Sequence, residues 1–127
     1  VRKYTKDTYK RFLREYDIDG FKLDFIDAFR LGDLSAPFNE EMDCRTVEEA
    51  VHILLEEITA ELDEIKPDLL YEYRQRYIGP AINRFGNMLR VGDCAYDSLQ
   101  NRIGMVNLRL MDYPIAVHSD MLCWYPK

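Results

Sequence analysis

Gly20-Phe21-Lys22-Leu23-Asp24-Phe25-Ile26 decides how the rest of this chain is read. The run 21–26 is short, apolar and aromatic, as a buried strand should be. The turn Asp17-Ile18-Asp19-Gly20 delivers the chain to it. Lys22 and Asp24 stand two apart, so on a strand their side chains share one face. An ionised carboxylate on the inner face of a parallel sheet is costly unless paired. Lys22 is the partner at hand.

Upstream, residues 5–16 read as a helix, with Tyr9, Phe12, Leu13 and Tyr16 at i, i+3, i+4 and i+7 and Thr5 as N-cap. Downstream, Asp27 to Arg45 contains Gly32, Pro37 and Asn39, keeps no period, and reads as a long loop. The clearest helix covers 47–65. Thr46 and Glu49 have capping-box spacing, and Val51, Leu54, Leu55, Ile58, Leu62 and Ile65 form one apolar stripe. Pro67 stops it, and Leu69-Leu70-Tyr71-Glu72-Tyr73 reads as a second strand. Gly79 and Pro80 break the next stretch, with a short helical turn before Gly86. Met88-Leu89-Arg90-Val91 reads as a third strand ending at Gly92-Asp93. Asp97 and Gln100 give a second capping-box pattern for a helix over 98–110, with Leu99, Ile103, Val106 and Leu110 as its apolar side. Ile115-Ala116-Val117-His118 reads as a fourth strand.

Strands alternating with amphipathic helices imply βαβ units and an α/β fold on a parallel sheet. Two features point to an arc of a (β/α)8 TIM barrel rather than a finished open sheet. Polar residues (Asp24, Arg74, Asp93, His118) close the strands, at the end where barrel enzymes keep their chemistry. Four strands in 127 residues are also about half of a barrel that takes ~250 residues. The chain opens Val1-Arg2-Lys3 without a methionine. Residues 1–127 are therefore expected to be the central part of a catalytic domain. Its open strand edges would be covered by the remainder of that domain or by a second copy of the chain.

Composition narrows the partners. Seventeen basic and 23 acidic residues give a formal charge of -6, which argues against nucleic acid as a partner. No apolar run approaches the ~20 residues that span a bilayer, so no membrane is expected. Cys44, Cys94 and Cys123 are odd in number, widely spaced and outside any CxxC or Cys/His cluster. They read as free, mostly buried thiols in a reducing cytoplasm, with a single disulfide pair as the alternative and no zinc site. With only His52 and His118 as histidines there is no His-based metal cluster either. No cofactor is expected.

The chemistry rests on carboxylates. Asp24 beside Lys22 fits a structural ion pair, a strand–loop cap, or a nucleophile kept ionised and aimed by burial and a neighbouring cation. Asp93 repeats the arrangement, with Gly92 allowing close backbone approach and Arg90 offering a planar fork of donors. Loop solvation or a salt bridge to Arg90 explains Asp93 equally well. As a pair from two strand ends facing one cavity, Asp24 and Asp93 suit glycoside hydrolysis, in which one acid attacks the anomeric carbon and the other protonates the leaving oxygen. Asp97 reads as an N-cap, and Asp27 lies in the loop after Asp24. His118-Ser119-Asp120 follows the fourth strand at the same end of the sheet, a position open to a pocket role. It is not a triad, whose members converge from separate elements. Trp124 and Tyr125 read as packing residues.

At Gly20-Phe21-Lys22-Leu23-Asp24-Phe25 and Leu89-Arg90-Val91-Gly92-Asp93 the chain resembles the melibiase family, glycoside hydrolase family 36, in a clan with families 27 and 31. The similarity extends through Asn87-Met88-Leu89-Arg90 and Ala116-Val117-His118-Ser119-Asp120-Met121, roughly residues 5–125, and looks bacterial. The resemblance implies a retaining α-galactosidase and makes the four strands barrel strands 4–7. Asp24 becomes the nucleophile and Asp93 the acid/base. Lys22, Arg90, Arg74, His118 and Asp120 become substrate-binding residues for an α-galactoside or oligosaccharide. Two departures stand out. Tyr73-Arg74-Gln75-Arg76 replaces a Cys-Ser-Gly-Gly type loop, and Gly92-Asp93-Cys94 replaces Ser-Asp-Asn. Both loops meet the sugar in the family, which leaves an α-glucoside or α-xyloside as the alternative within the clan. A non-catalytic sugar-binding or structural segment is the alternative outside it.

Overall fold

The computed structural model describes residues 1–24, 37–74, 81–111 and 115–123. They fall into two compact units.

Among the described residues, the first unit, Val1–Asp19 with Phe25–Leu69, holds two helices, α1 (Arg2–Glu15) and α2 (Val47–Asp63). Helix α1 begins ahead of Thr5, so Thr5 is not its cap. The Thr5 N–H and hydroxyl both donate to Val1 O, at 3.0 and 3.2 Å, inside the first turn. Of the expected stripe Leu13 is buried, whereas Phe12 and Tyr16 stack on each other 42% and 54% exposed. A ladder of charges joins the helices instead. Lys6 Nζ reaches Glu57 at 2.7 Å and Glu61 at 2.6 Å, Lys10 binds Glu61, and Arg2 binds Asp43 and Glu57.

Helix α2 follows its sequence closely. Thr46 Oγ1 accepts from Glu49 N at 3.1 Å, as a capping residue should. The Glu49 carboxylate reaches back to Arg45 N at 2.7 Å, one residue before the position a capping box uses. Val51, Leu55, Ile58 and Leu62 are buried, and Leu54 and Ile65 are half-buried. Beyond the helix, Lys66 Nζ donates to Ile18 O at 2.8 Å and pairs with Asp17 and Asp19, gathering the turn that precedes the first strand. Asp68 carries the reversal in the left-handed region at φ 64°, a conformation that Asp tolerates better than most residues.

Among the described residues, the second unit, Gly20–Asp24 with Leu70–Lys127, contains a four-stranded sheet and one helix. Strands β1 (Gly20–Leu23), β2 (Leu70–Arg74), β3 (Met88–Arg90) and β4 (Ala116–His118) lie in that order, and every neighbouring pair is parallel. Helix α3 (Ser98–Met111) joins β3 to β4. The α/β class and parallel sheet expected from the sequence are therefore present. Strand limits fall within a few residues of those read from the sequence. Phe25, Ile26 and the loop through residue 36, with Asp27, lie outside the described residues, as do Gln75, Arg76, Trp124 and Tyr125.

The pleat sorts the sheet into two chemically distinct faces. Leu23, Tyr73, Leu89 and Val117 stand in one register row, and the first three are at most 4% exposed. Tyr71 and Val91 belong to the same apolar face and are equally buried. The turn at 81–86 closes over it. Ile82 and Phe85 are buried, and the Tyr73 hydroxyl donates to Phe85 O at 3.4 Å. Gly86 lies so close on the Tyr73 ring that a Cβ there would overlap it. The opposite face carries Lys22, Glu72, Arg90 and His118. All-parallel sheets normally bury both faces and read as continuous apolar runs. One charged face is therefore a feature needing explanation.

Helix α3 corrects one expectation. Its apolar stripe is not core: Leu99, Ile103, Val106 and Leu110 are 62%, 41%, 52% and 79% exposed. The buried residues are Asn101 and Leu108, and Gly104 between them sits against Val91, where an added Cβ would lie 3.2 Å from the valine side chain. The buried face is thus set by Asn101, Gly104 and Leu108 rather than by the stripe read from the sequence.

Candidate active site

The charged face of the sheet, with the loops at the strand C-terminal ends, gathers most of the titratable residues singled out in the sequence. Lys22 projects from β1, and Asp24 is the first residue past its end. Lys22 Nζ lies 3.6 Å from Asp24 Oδ2, with the side chains 44% and 27% exposed. Both can meet solvent or a ligand while remaining paired. Arg74 ends β2 and stands in register with Arg90, which in turn pairs with His118.

Arg90 is the centre of the cluster. It is 9% exposed and faces three acids. Nη1 lies 2.6 Å from Asp120 Oδ1, Nη2 2.8 Å from Asp93 Oδ1, and Nε 3.9 Å from Glu72 Oε1. Only Arg offers such a fork of directed donors. Its Nε is buried without a hydrogen-bond partner among the described residues. At 3.9 Å the Glu72 contact is Coulombic rather than a hydrogen bond.

Glu72 also approaches His118, with Oε2 3.0 Å from Nε2, though without hydrogen-bond alignment. The other ring nitrogen, Nδ1, is 3.0 Å from Ser119 O. Glu72 was not among the residues selected from the sequence. Its signal was present: a charge inside an apolar strand, two residues before Arg74, repeating the alternation of Lys22 and Asp24.

Asp93 follows Gly92 in the loop after β3 and is 59% exposed at its side chain, with Arg90 holding one oxygen. Asp120, in contrast, is buried at 8% exposure. Its Oδ1 accepts from Arg90 and from Met121 N at 2.9 Å, and its Oδ2 accepts from Cys94 N at 3.0 Å. Burial pushes this carboxyl upward, but the Cys94 N–H, the Arg90 charge and the Met121 N–H outweigh it and hold the group below its ordinary range. The Asp120 carbonyl accepts from the buried Asn101 amide at 2.9 Å. Asn101 was also missed, since a polar residue on a helix otherwise read by its apolar positions carries no sequence signal. Asp97 caps α3 as expected, with Oδ1 accepting from Leu99 N and Gln100 N at 3.0 Å. Cys94 donates to Gly92 O at 3.0 Å, and burial raises its thiol pKa. Such a thiol is a packing group rather than a nucleophile.

Among the described residues, no three His, Cys, Asp or Glu side chains are placed to hold a metal ion, and no helix is long and apolar enough to cross a membrane. The arrangement is chemically asymmetric: a half-exposed acid beside a lysine at one strand end, and an exposed acid on an arginine fork two strands away. Compared with protein-family models, with curated proteins and with solved structures, the chain shows no significant match to any of them.

Proposed function

We propose that this segment carries the catalytic pair of a retaining glycoside hydrolase acting on terminal α-galactosides, with Asp24 as nucleophile and Asp93 as acid/base. The observation that carries the reading is the charged face of the parallel sheet, with two carboxylates at the C-terminal strand ends, each beside its own cation. In a closed (β/α)8 barrel that face lines the interior, and those ends form the catalytic mouth. The four strands then serve as barrel strands 4–7, and the rest of the domain completes the pocket.

Double displacement follows from these positions. Asp24 attacks the anomeric carbon while protonated Asp93 gives its proton to the departing oxygen, leaving a glycosyl ester on Asp24. Asp93, now a carboxylate, takes a proton from water, which attacks the same carbon and releases Asp24. Lys22 pairs with Asp24 and, with His118, supplies donors to sugar hydroxyls. Strands β1 and β3 are two spacings apart, about 9–10 Å between backbones. Side chains leaning inward across β2 would approach the ~5–5.5 Å that retention requires.

Substitution in the full-length protein tests the proposal. Asp24→Ala and Asp93→Ala should each abolish or cripple hydrolysis of aryl α-galactosides, with wild-type product released in the α configuration. Undiminished hydrolysis in both variants would favour a structural or sugar-binding segment. Preference for aryl α-glucosides or α-xylosides would keep the mechanism and change the sugar.

A further inference from the structure

We infer that Asp120, anchored by Asn101, is a positioning residue that sets the place of Asp93 and does not itself bind the sugar; this rests on the reading of Asp93 as acid/base. Asp120 is only 8% exposed. One oxygen takes two donors, Arg90 Nη1 and Met121 N, and the other takes Cys94 N. What remains is a lever on Asp93 from two sides. Arg90 spans both acids, with Nη1 on Asp120 and Nη2 on Asp93. The backbone immediately after Asp93 is pinned through Cys94 N to the same Asp120 carboxylate. Side chain and main chain of the acid/base are therefore referenced to one buried group.

That group is itself fixed. The Asn101 amide, 4% exposed on α3, donates to Asp120 O at 2.9 Å. Asp97 caps the same helix and accepts from Leu99 N and Gln100 N. The tether thus runs from a capped helix to the loop after β4, and from there to the loop after β3. An exposed acid on a glycine-preceded loop needs such a frame, because misplacement by about 1 Å can cost on the order of 10²-fold in rate.

The test uses Asp120→Asn and the milder Asn101→Ala in the full-length protein, with aryl α-galactosides of graded leaving-group ability. A displaced acid fails the poor leaving groups, which need protonation, and spares dinitrophenolate, which does not. For Asp120→Asn the expected loss in kcat/KM, which reports the first step alone, is on the order of 10²-fold with a poor leaving group, with kcat/KM for the activated substrate nearly unaffected. Asn101→Ala should show the same pattern at smaller size. An equal loss across all leaving groups would overturn the action on Asp93. A second readout needs no activity: site-resolved alkylation of Cys94 should quicken in both variants as its N–H is released. Unchanged labelling would overturn the clamp itself. If the wild-type protein hydrolyses no glycoside while Cys94 labelling still quickens, the acid/base reading fails and the clamp stands.

Discussion

The Arg90 guanidinium holds the Asp93 carboxylate at 2.8 Å, three residues along the chain and across the end of the same strand. Directed, charge-assisted bonds of this kind are short and strong. The same guanidinium reaches the buried Asp120 with its other arm, so the place of Asp93 is tied to a fixed group.

Arg90→Lys should separate holding from charge. Lysine keeps one positive charge but cannot span Asp120 and Asp93 with two fixed arms. Activity on substrates with poor leaving groups should fall by at least tenfold, within the ~10²–10⁴-fold that general acid catalysis contributes. Steady-state kinetics on matched phenyl and dinitrophenyl glycosides checks it, and equal turnover of both by wild type and variant would count against the assignment.

Asp120 gives a stability signature with a definite sign. Its folded carboxyl lies below the ordinary value of 3.8, because the Cys94 and Met121 N–H groups and Arg90 outweigh the upward push of burial. The stability it contributes is complete above that ordinary value and fades as pH falls through the lowered folded one. The Tm penalty of Asp120→Asn should therefore be full near neutrality and narrow below pH 3.8. Thermal melts of both proteins from neutral to strongly acidic pH measure it, and a penalty that widens on acidification would reverse the argument.

Two glycines should respond unequally to one methyl group. At Gly20 an added Cβ would overlap the Leu70 carbonyl oxygen and side chain, and Gly20 and Leu70 are register partners in the sheet. Gly20→Ala should cost about 1–3 kcal/mol, as overpacking does. At Gly104 the new carbon meets Val91 at 3.2 Å, a side chain able to give slightly. Replacing a mid-helix glycine regains roughly 0.5–1 kcal/mol, so Gly104→Ala should be near neutral. Urea unfolding midpoints rank the two.

The ion ladder between α1 and α2 should matter little and be sensitive to salt. Glu61 is held below its ordinary carboxyl value of 4.5 by hydrogen bonds from Lys10 and Lys6, yet it is 32% exposed at its side chain. Solvent screens such pairs. Glu61→Gln should lower Tm slightly in dilute buffer, and the difference should vanish in ~1 M salt, where the Debye length is about 3 Å. Since the group is lowered, its contribution is also lost in acid.

Much of the fold was legible because local patterns agreed with tertiary ones. Thr46 caps α2, and four of its six stripe residues are buried. The four strands sit where short apolar runs end in polar residues. Legibility failed where another interaction overrode apolar periodicity. In α3 the Gly104 contact with Val91 and the Asn101 bond to Asp120 set the buried face, leaving Leu99, Ile103, Val106 and Leu110 outward. In α1 the charges of Lys6 and Lys10 meet Glu61, and Phe12 and Tyr16 stay partly exposed. The site was half legible. Asp24, Lys22, Arg90 and Asp93 announce themselves at strand ends. Glu72 and Asn101 have roles created by which strand or loop lies alongside, and that is known only once the chain is folded.

In the proposed mechanism Asp24 forms a covalent bond to the anomeric carbon of the sugar. A fluorinated α-galactosyl fluoride, whose electron-withdrawing substituent slows release of the glycosyl enzyme, should inactivate the full-length protein. Peptide mass spectrometry should then place one fluorogalactosyl group on Asp24, with none in Asp24→Ala. A label on another carboxylate, or steady turnover by Asp24→Ala with no label at all, would contradict the account.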